Sequence, residues 1–147
     1  MNDFTLVTQH IVMSEHLNPN DTLFGGQLLS WLDSDLVIYA CEKAKCKRLV
    51  TASMNNVKFK HPGHLGDLIK IYAKICEVRP HYIIINGKAV SHNVETSEQK
   101  TIIECDIKVV AVDENGRLEK KFVPEKSLVD QFLDGTQGIL NNFLPKK

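Results

Sequence analysis

The chain has 147 residues, 43% hydrophobic and 24% charged, with 18 Lys plus Arg balanced by 18 Asp plus Glu. That length suits one domain with a real core rather than two, and the balanced charge leaves no global basic field to draw nucleic acid or an anionic membrane. The N-terminus MNDFTLVTQH lacks the basic-then-apolar pattern of a signal peptide and no apolar stretch reaches bilayer-spanning length, so the expectation is a cytoplasmic protein.

Residues 4–13, FTLVTQHIVM, read as a strand. From about Gly25 to Ala44 the pattern becomes helical. At about 100° per residue, Leu28, Leu29, Leu32, Leu36, Tyr39 and Ala40 share one arc. Asp33 lies at one edge of that arc, between Leu29 and Val37, and Asp35 at the other, near Trp31 and Tyr39. The simplest account makes both of them solvated boundary acids. KRLVTASMNNVKFKHP then alternates and stops at Pro62, with GHLGD as the turn. DLIKIYAKICEV places Ile69, Ile71, Ala73 and Ile75 on one face. RPH leads into YIIINGKAVSHNV. TIIECDIKVVAVD puts Ile103, Cys105, Ile107, Val109 and Ala111 on one face and ends at the turn DENG. Beyond it, PEKSLVDQFLD suits a helix from Pro124 to near Gly135, to which no function is assigned.

The order is one strand, one long helix and four strands with short connections. Short connections predict antiparallel neighbours, and the apolar strand faces need a cover that only the helix supplies. The expected class is therefore α+β, an antiparallel sheet of about five strands around one central helix. The cysteines at 41, 46, 76 and 105 form no CxxC pair; reduced thiols are expected, three of them in the core. His61 and His64 in HPGHLGD have no further ligand at metal-site spacing, so they read as part of a turn.

NPNDTLFGGQLLSWLDSD (18–35) breaks local rules. Gly costs roughly 1 kcal/mol against Ala inside a helix, and a buried carboxylate loses hydration unless it is hydrogen-bonded. A helix N-terminus presents unpaired N–H groups and a partial positive charge, and Gly25-Gly26 would let a carbonyl oxygen approach that backbone closely. The bland alternative is a tight turn with close packing. Asp33 lies roughly 10 Å further along the axis, too far for one small group to bridge within a single helix.

Those residues, followed by VTASMNNVKFKHPGHLGD (50–67), resemble the hot-dog-fold acyl-CoA thioesterases of the acyl-CoA hydrolase branch. The shared pattern is an Asn-rich turn, FGG, an acid seven positions after the second Gly, a strand ending F-x-x-P, and a G-D turn. It covers residues 5–118 as one hot-dog domain and leaves 119–147 as a C-terminal extension. The resemblance implies a homodimer joined sheet edge to sheet edge, often assembled as a trimer of dimers, with active sites between subunits. It puts the carboxylate on Asp33 and the oxyanion amide on the Gly26 N–H, contributed by different subunits. The family's catalytic Asn matches Thr22, with Asn18 or Asn20 as alternative sources of the amide. Gly25, Thr51, Ser53 and Asn56 would line the acyl and pantetheine channel, and Lys58, Lys60 and His61 would meet the nucleotide phosphates. A solvated edge strand is the plain alternative for those basic residues.

The implied reaction is hydrolysis of acyl-CoA to fatty acid and CoA. The Gly26 N–H would hold the oxyanion, while Asp33 would accept a proton from water or attack the carbonyl itself. Neither route requires a metal or cofactor, coenzyme A being part of substrate and product. Two alternatives use the same fold: a non-catalytic acyl-CoA sensor, and a dehydratase or hydratase. The latter would want a His near the acid, and none lies between Leu17 and Lys60.

Overall fold

The computed structural model describes residues 3–119. Strand β1 (Thr5–Ile11) leads through a short 3₁₀ turn to helix α1 (Gly25–Ala44), followed by β2 (Leu49–Phe59), β3 (Leu68–Arg79), β4 (Tyr82–His92) and β5 (Gln99–Ala111). The strands form one five-stranded sheet in the order β1-β3-β4-β5-β2, with every pair antiparallel. The expected α+β class and the helix limits agree with this arrangement.

Helix α1 buries Leu28, Leu32, Leu36, Ala40 and Ala44, a row with four-residue spacing. Such a row makes one continuous ridge, and each large apolar side chain taken from water contributes roughly 1.5–3 kcal/mol. The helix ends where Lys45 turns left-handed (φ 54°) and the Cys46 N–H closes on the Cys41 carbonyl at 3.1 Å. The ridge lies on the alternate buried residues of the sheet, among them Ile69, Ile71, Ala73, Ile85, Ile107 and Val109. At Gly87 of β4 the approach is closest, since a Cβ there would overlap the Leu36 side chain. Cys105 sits in this core with Cys41 and Cys46 packed against it, whereas Cys76 is exposed.

One expectation is corrected. The short link between β2 and β3 does not make them sheet neighbours: β2 pairs only with β5, at the far edge from β1 and β3. Residues 60–67 instead cross the end of the curved sheet beneath the start of α1. There the Leu23 N–H donates to the Gly63 carbonyl at 2.8 Å and Thr22 forms an isolated bridge with His64. Eight residues can span up to about 3.3–3.6 Å each, enough for that crossing without hairpin geometry. After β5 the DENG turn closes a small hairpin, with Val112 bridged to Leu118 and the Glu119 N–H donating to the Ala111 carbonyl. The expected helix near 124–135, and the extension from residue 120 onward, lie outside the described residues. No helix among the described residues is long and apolar enough to cross a membrane.

Candidate functional site

The approach to α1 is a structured loop. The Asn18 Oδ1 accepts from the Asn20 N–H at 2.9 Å and the Thr22 N–H at 3.1 Å, and its Nδ2 donates to the Thr22 Oγ1 at 2.9 Å. Asp21 takes the left-handed conformation (φ 58°) that such a turn needs. Asn18 and the Thr22 hydroxyl are thus committed to holding the loop, while the Asn20 side chain is exposed. The chain is then tied by the Leu23 N–H to Gly63 and by the Phe24 N–H to the His16 carbonyl, both at 2.8 Å.

Phe24 occupies the N-cap position, where no side chain caps the helix, and the first turn carries no acid. The first N–H groups bonded back to the Phe24 carbonyl are those of Gln27 (3.1 Å) and Leu28 (3.2 Å). Those of Gly25 and Gly26 therefore point beyond the helix end. A Cβ on Gly25 would stand 3.2 Å from the Phe59 ring, and one on Gly26 would stand 2.5 Å from the Phe24 ring. Side chains here would fill the space through which the amides are reached. Beside them lies a cleft of ≈ 370 Å³, lined by Asn18, Leu23, Gly25, Leu28, Phe59 and Lys60 with His61, Pro62 and Gly63.

Two turns down the helix, Asp33 is exposed, and the Thr51 hydroxyl of β2 donates to its Oδ1 at 2.5 Å. Asp35 is its opposite. It is 7% exposed and lies 2.7 Å from the His10 Nε2, whose ring stacks on Trp31 at 4.4 Å between centroids. The view of both acids as solvated boundary residues therefore holds for Asp33 and fails for Asp35. Their flanks differ because β1 and Trp31 close one side of α1, while β2 leaves the other open.

The remaining candidates divide between the two faces of the sheet. Ser53 is half-buried and accepts from Asn55 at 3.0 Å. At the β2 bulge, Asn56 turns left-handed (φ 53°) and donates to Asp106 at 2.7 Å, on the face away from α1. Lys58 is exposed on that face, beside a second cleft lined by Asn56, Glu104 and Asp106. Lys60 pairs with Glu104 at 2.9 Å, and the His61 Nδ1 lies 3.0 Å from the Thr101 carbonyl. The structure thus joins Asp33 with Thr51, and Gly25 with Phe59, Lys60 and His61. Within one chain it does not bring Asn56 to either group.

Sequence reasoning missed three partners. Phe59 entered only as the first residue of F-x-x-P. The His10–Asp35 contact joins positions 25 apart, beyond any helical or strand period. Asp67 entered only as the last letter of the G-D turn, although a carboxylate held at 7% exposure in a turn is unusual.

Residues 20–97 match the family described as the thioesterase superfamily. Protein VdlD of Helicobacter pylori is 34% identical over 113 residues, which cover 76% of this chain and 63% of VdlD. The acyl-CoA thioester hydrolase YciA of Escherichia coli is 30% identical over 115 residues, covering 76% of this chain and 86% of YciA. Among solved structures, Cj0915 of Campylobacter jejuni, a hexameric hotdog fold thioesterase, superposes with a TM-score of 0.76 at 26% identity, over 86% of this chain and 94% of that one. The chain thus spans 63% of the length of VdlD.

Proposed function

The chain belongs to the thioesterase superfamily and has the hot-dog fold, and on that footing we propose that it hydrolyses acyl-CoA thioesters to a carboxylic acid and coenzyme A. One observation carries the reading: an uncapped, glycine-lined helix start lies two turns from an exposed carboxylate tethered to Thr51. Water attacks the thioester carbonyl and its proton passes to Asp33. The carbonyl oxygen becomes an oxyanion at the Gly26 N–H, and collapse of the intermediate breaks the C–S bond and releases the thiol. An oxyanion donor of this kind is worth on the order of 3 kcal/mol. Direct attack by Asp33, through a mixed anhydride, uses the same two groups. Thr51 orients the carboxylate in both schemes, and Thr22 and Asn20 belong to the loop that carries the amide. No resident cofactor enters the scheme.

Within one helix the amide and the acid are roughly 10 Å apart, so the reading includes self-association, with Gly26 of one subunit facing Asp33 of another. The exposed Phe24, Phe59 and Val50 support an interface along the β2 edge, and the hexameric Cj0915 supports a trimer of dimers. Gly25, Ser53 and Asn56 would line the channel so completed, and Lys58, Lys60 and His61 would meet the nucleotide phosphates. A cytoplasmic location goes with this reading and accords with the free thiols of Cys41, Cys46, Cys76 and Cys105.

The test is thiol release from a series of acyl-CoA chain lengths. Free thiol and carboxylic acid should appear in equal amounts, and the Asp33→Asn variant should release far less. Tight acyl-CoA binding with no thiol released at any chain length would replace hydrolysis by sensing.

A further inference from the structure

We infer that Asp67 is a positioning residue for the oxyanion amide, its buried carboxylate clamping the turn from which the start of α1 is held. This rests on the thioesterase reading above. A carboxylate that is 7% exposed is costly unless donors replace its lost hydration. Asp67 has two: the Ser91 hydroxyl of β4 at 2.7 Å and the His64 backbone N–H at 2.9 Å, both on Oδ2. Its own N–H donates to the His64 carbonyl and its carbonyl accepts from the Val12 N–H, each at 3.0 Å. One side chain thereby fastens the 63–67 turn to β4, while its backbone fastens the turn to the end of β1.

That turn carries the entry to the helix. The Gly63 carbonyl accepts the Leu23 N–H at 2.8 Å, and His64 bridges Thr22. The other backbone ties on this approach run within the loop before the helix, among them those from the Asn18 N–H to the Thr22 carbonyl at 2.8 Å and from the Phe24 N–H to His16, and Phe24 itself supplies no side-chain cap. The Gly26 amide follows directly. An oxyanion donor works only when it is aimed at the place where charge develops, so loosening its mount weakens the transition state more than the ground state. Asp67 never touches substrate in this account. It acts through Gly63 and Leu23.

Ser91→Ala tests this mildly, by removing one donor from the carboxylate without touching the turn; Asp67→Asn tests it directly. In both variants kcat should fall by roughly ten- to a hundredfold with KM near parental, as expected when a catalytic group is displaced by a fraction of an ångström to an ångström. The shape of the pH profile should not change, because Asp33 still accepts the proton. Exchange of the Leu23 amide should accelerate, while that of Ile85, in the middle of β4, keeps its protection. A folded Ser91→Ala protein with parental kcat and parental Leu23 exchange overturns the inference. A lowered melting midpoint with unchanged kcat per folded molecule overturns it too, leaving Asp67 a purely structural acid. Failure of the thioesterase reading would look different, as a parental protein that releases no thiol. Leu23 exchange would then still decide whether Asp67 clamps the turn.

Discussion

Asp33 and Asp35 flank the same apolar row at equal angular offsets, yet one faces solvent with Thr51 on its Oδ1 and the other is buried against His10. Helical periodicity cannot separate two such acids. What separates them is tertiary, because β1 brings His10 over one flank only, where its ring stacks on Trp31 of the helix itself. The two substitutions therefore have opposite signatures. Asp33→Asn keeps the shape but removes the proton acceptor, so kcat should fall by roughly 10²–10⁴-fold with KM little changed. Its melting midpoint should stay near parental, because an exposed carboxylate carries little desolvation cost. Asp35→Asn weakens a buried hydrogen bond to His10, which costs roughly 1–2 kcal/mol and lowers the midpoint, while kcat per folded molecule stays close to parental. Thermal melts and thioester hydrolysis on the same preparations check both, and near-parental turnover by folded Asp33→Asn would remove the acid from the mechanism.

Elements whose faces differ most were the ones legible in advance. Along Ile69–Ile75 of β3 and Ile103–Ala111 of β5 buried residues alternate with less buried ones, because one face packs on α1 and the other does not. Two features escaped for physical reasons. The crossing at 60–67 has the length and composition of an ordinary turn, and only the tertiary strand order, β2 beside β5 and β3 beside β1 and β4, decides that it joins distant strands. The bulges in β2 shift register twice and send Asn56 to the outer face, where Asp106 supplies its partner; a left-handed Asn is tolerated but not announced by its neighbours. The apolar face of β5 has a titration consequence of its own. Burial raises the Cys105 thiol from 9.0 to about 11, its neighbour Asp106 adding to the effect. An unfolded chain ionises this thiol at the ordinary value, whereas the folded chain keeps it protonated. Cys105 thus contributes stability in full below pH 9.0, and that contribution is lost as pH rises through about 11. Urea midpoints measured between those pH values should decline, and Cys105→Ala should flatten the decline while lowering stability throughout. An equal slope in the variant would assign the loss to other groups.

At the scale of the whole molecule, the proposed mechanism leaves an isolated chain incomplete. Phe24 and Phe59 are 56% and 57% exposed beside the glycine pair, Val50 is 43% exposed on the edge strand, and the Asp33 carboxylate of the proposed mechanism lies two turns from the Gly26 amide. An edge strand with exposed apolar residues invites pairing, and a symmetric pair would use the same edge on both copies. If each site takes its amide from one subunit and its acid from the other, two different inactive variants should complement. Gly26→Pro deletes the N–H donor at a first-turn position where proline is tolerated; the exposed Phe24 ring is free to move aside. Asp33→Asn deletes the acid. Each variant alone should be nearly inactive. Unfolded together and allowed to reassociate at equal concentration, they form mixed pairs in which one site has both defects and the other has neither. Random pairing then restores about a quarter of the parental sites. A site built within one subunit predicts no recovery at all, since every site would keep one defect. Recovery that rises with the fraction of mixed pairs, followed by sedimentation and thiol release on the same samples, distinguishes the two arrangements.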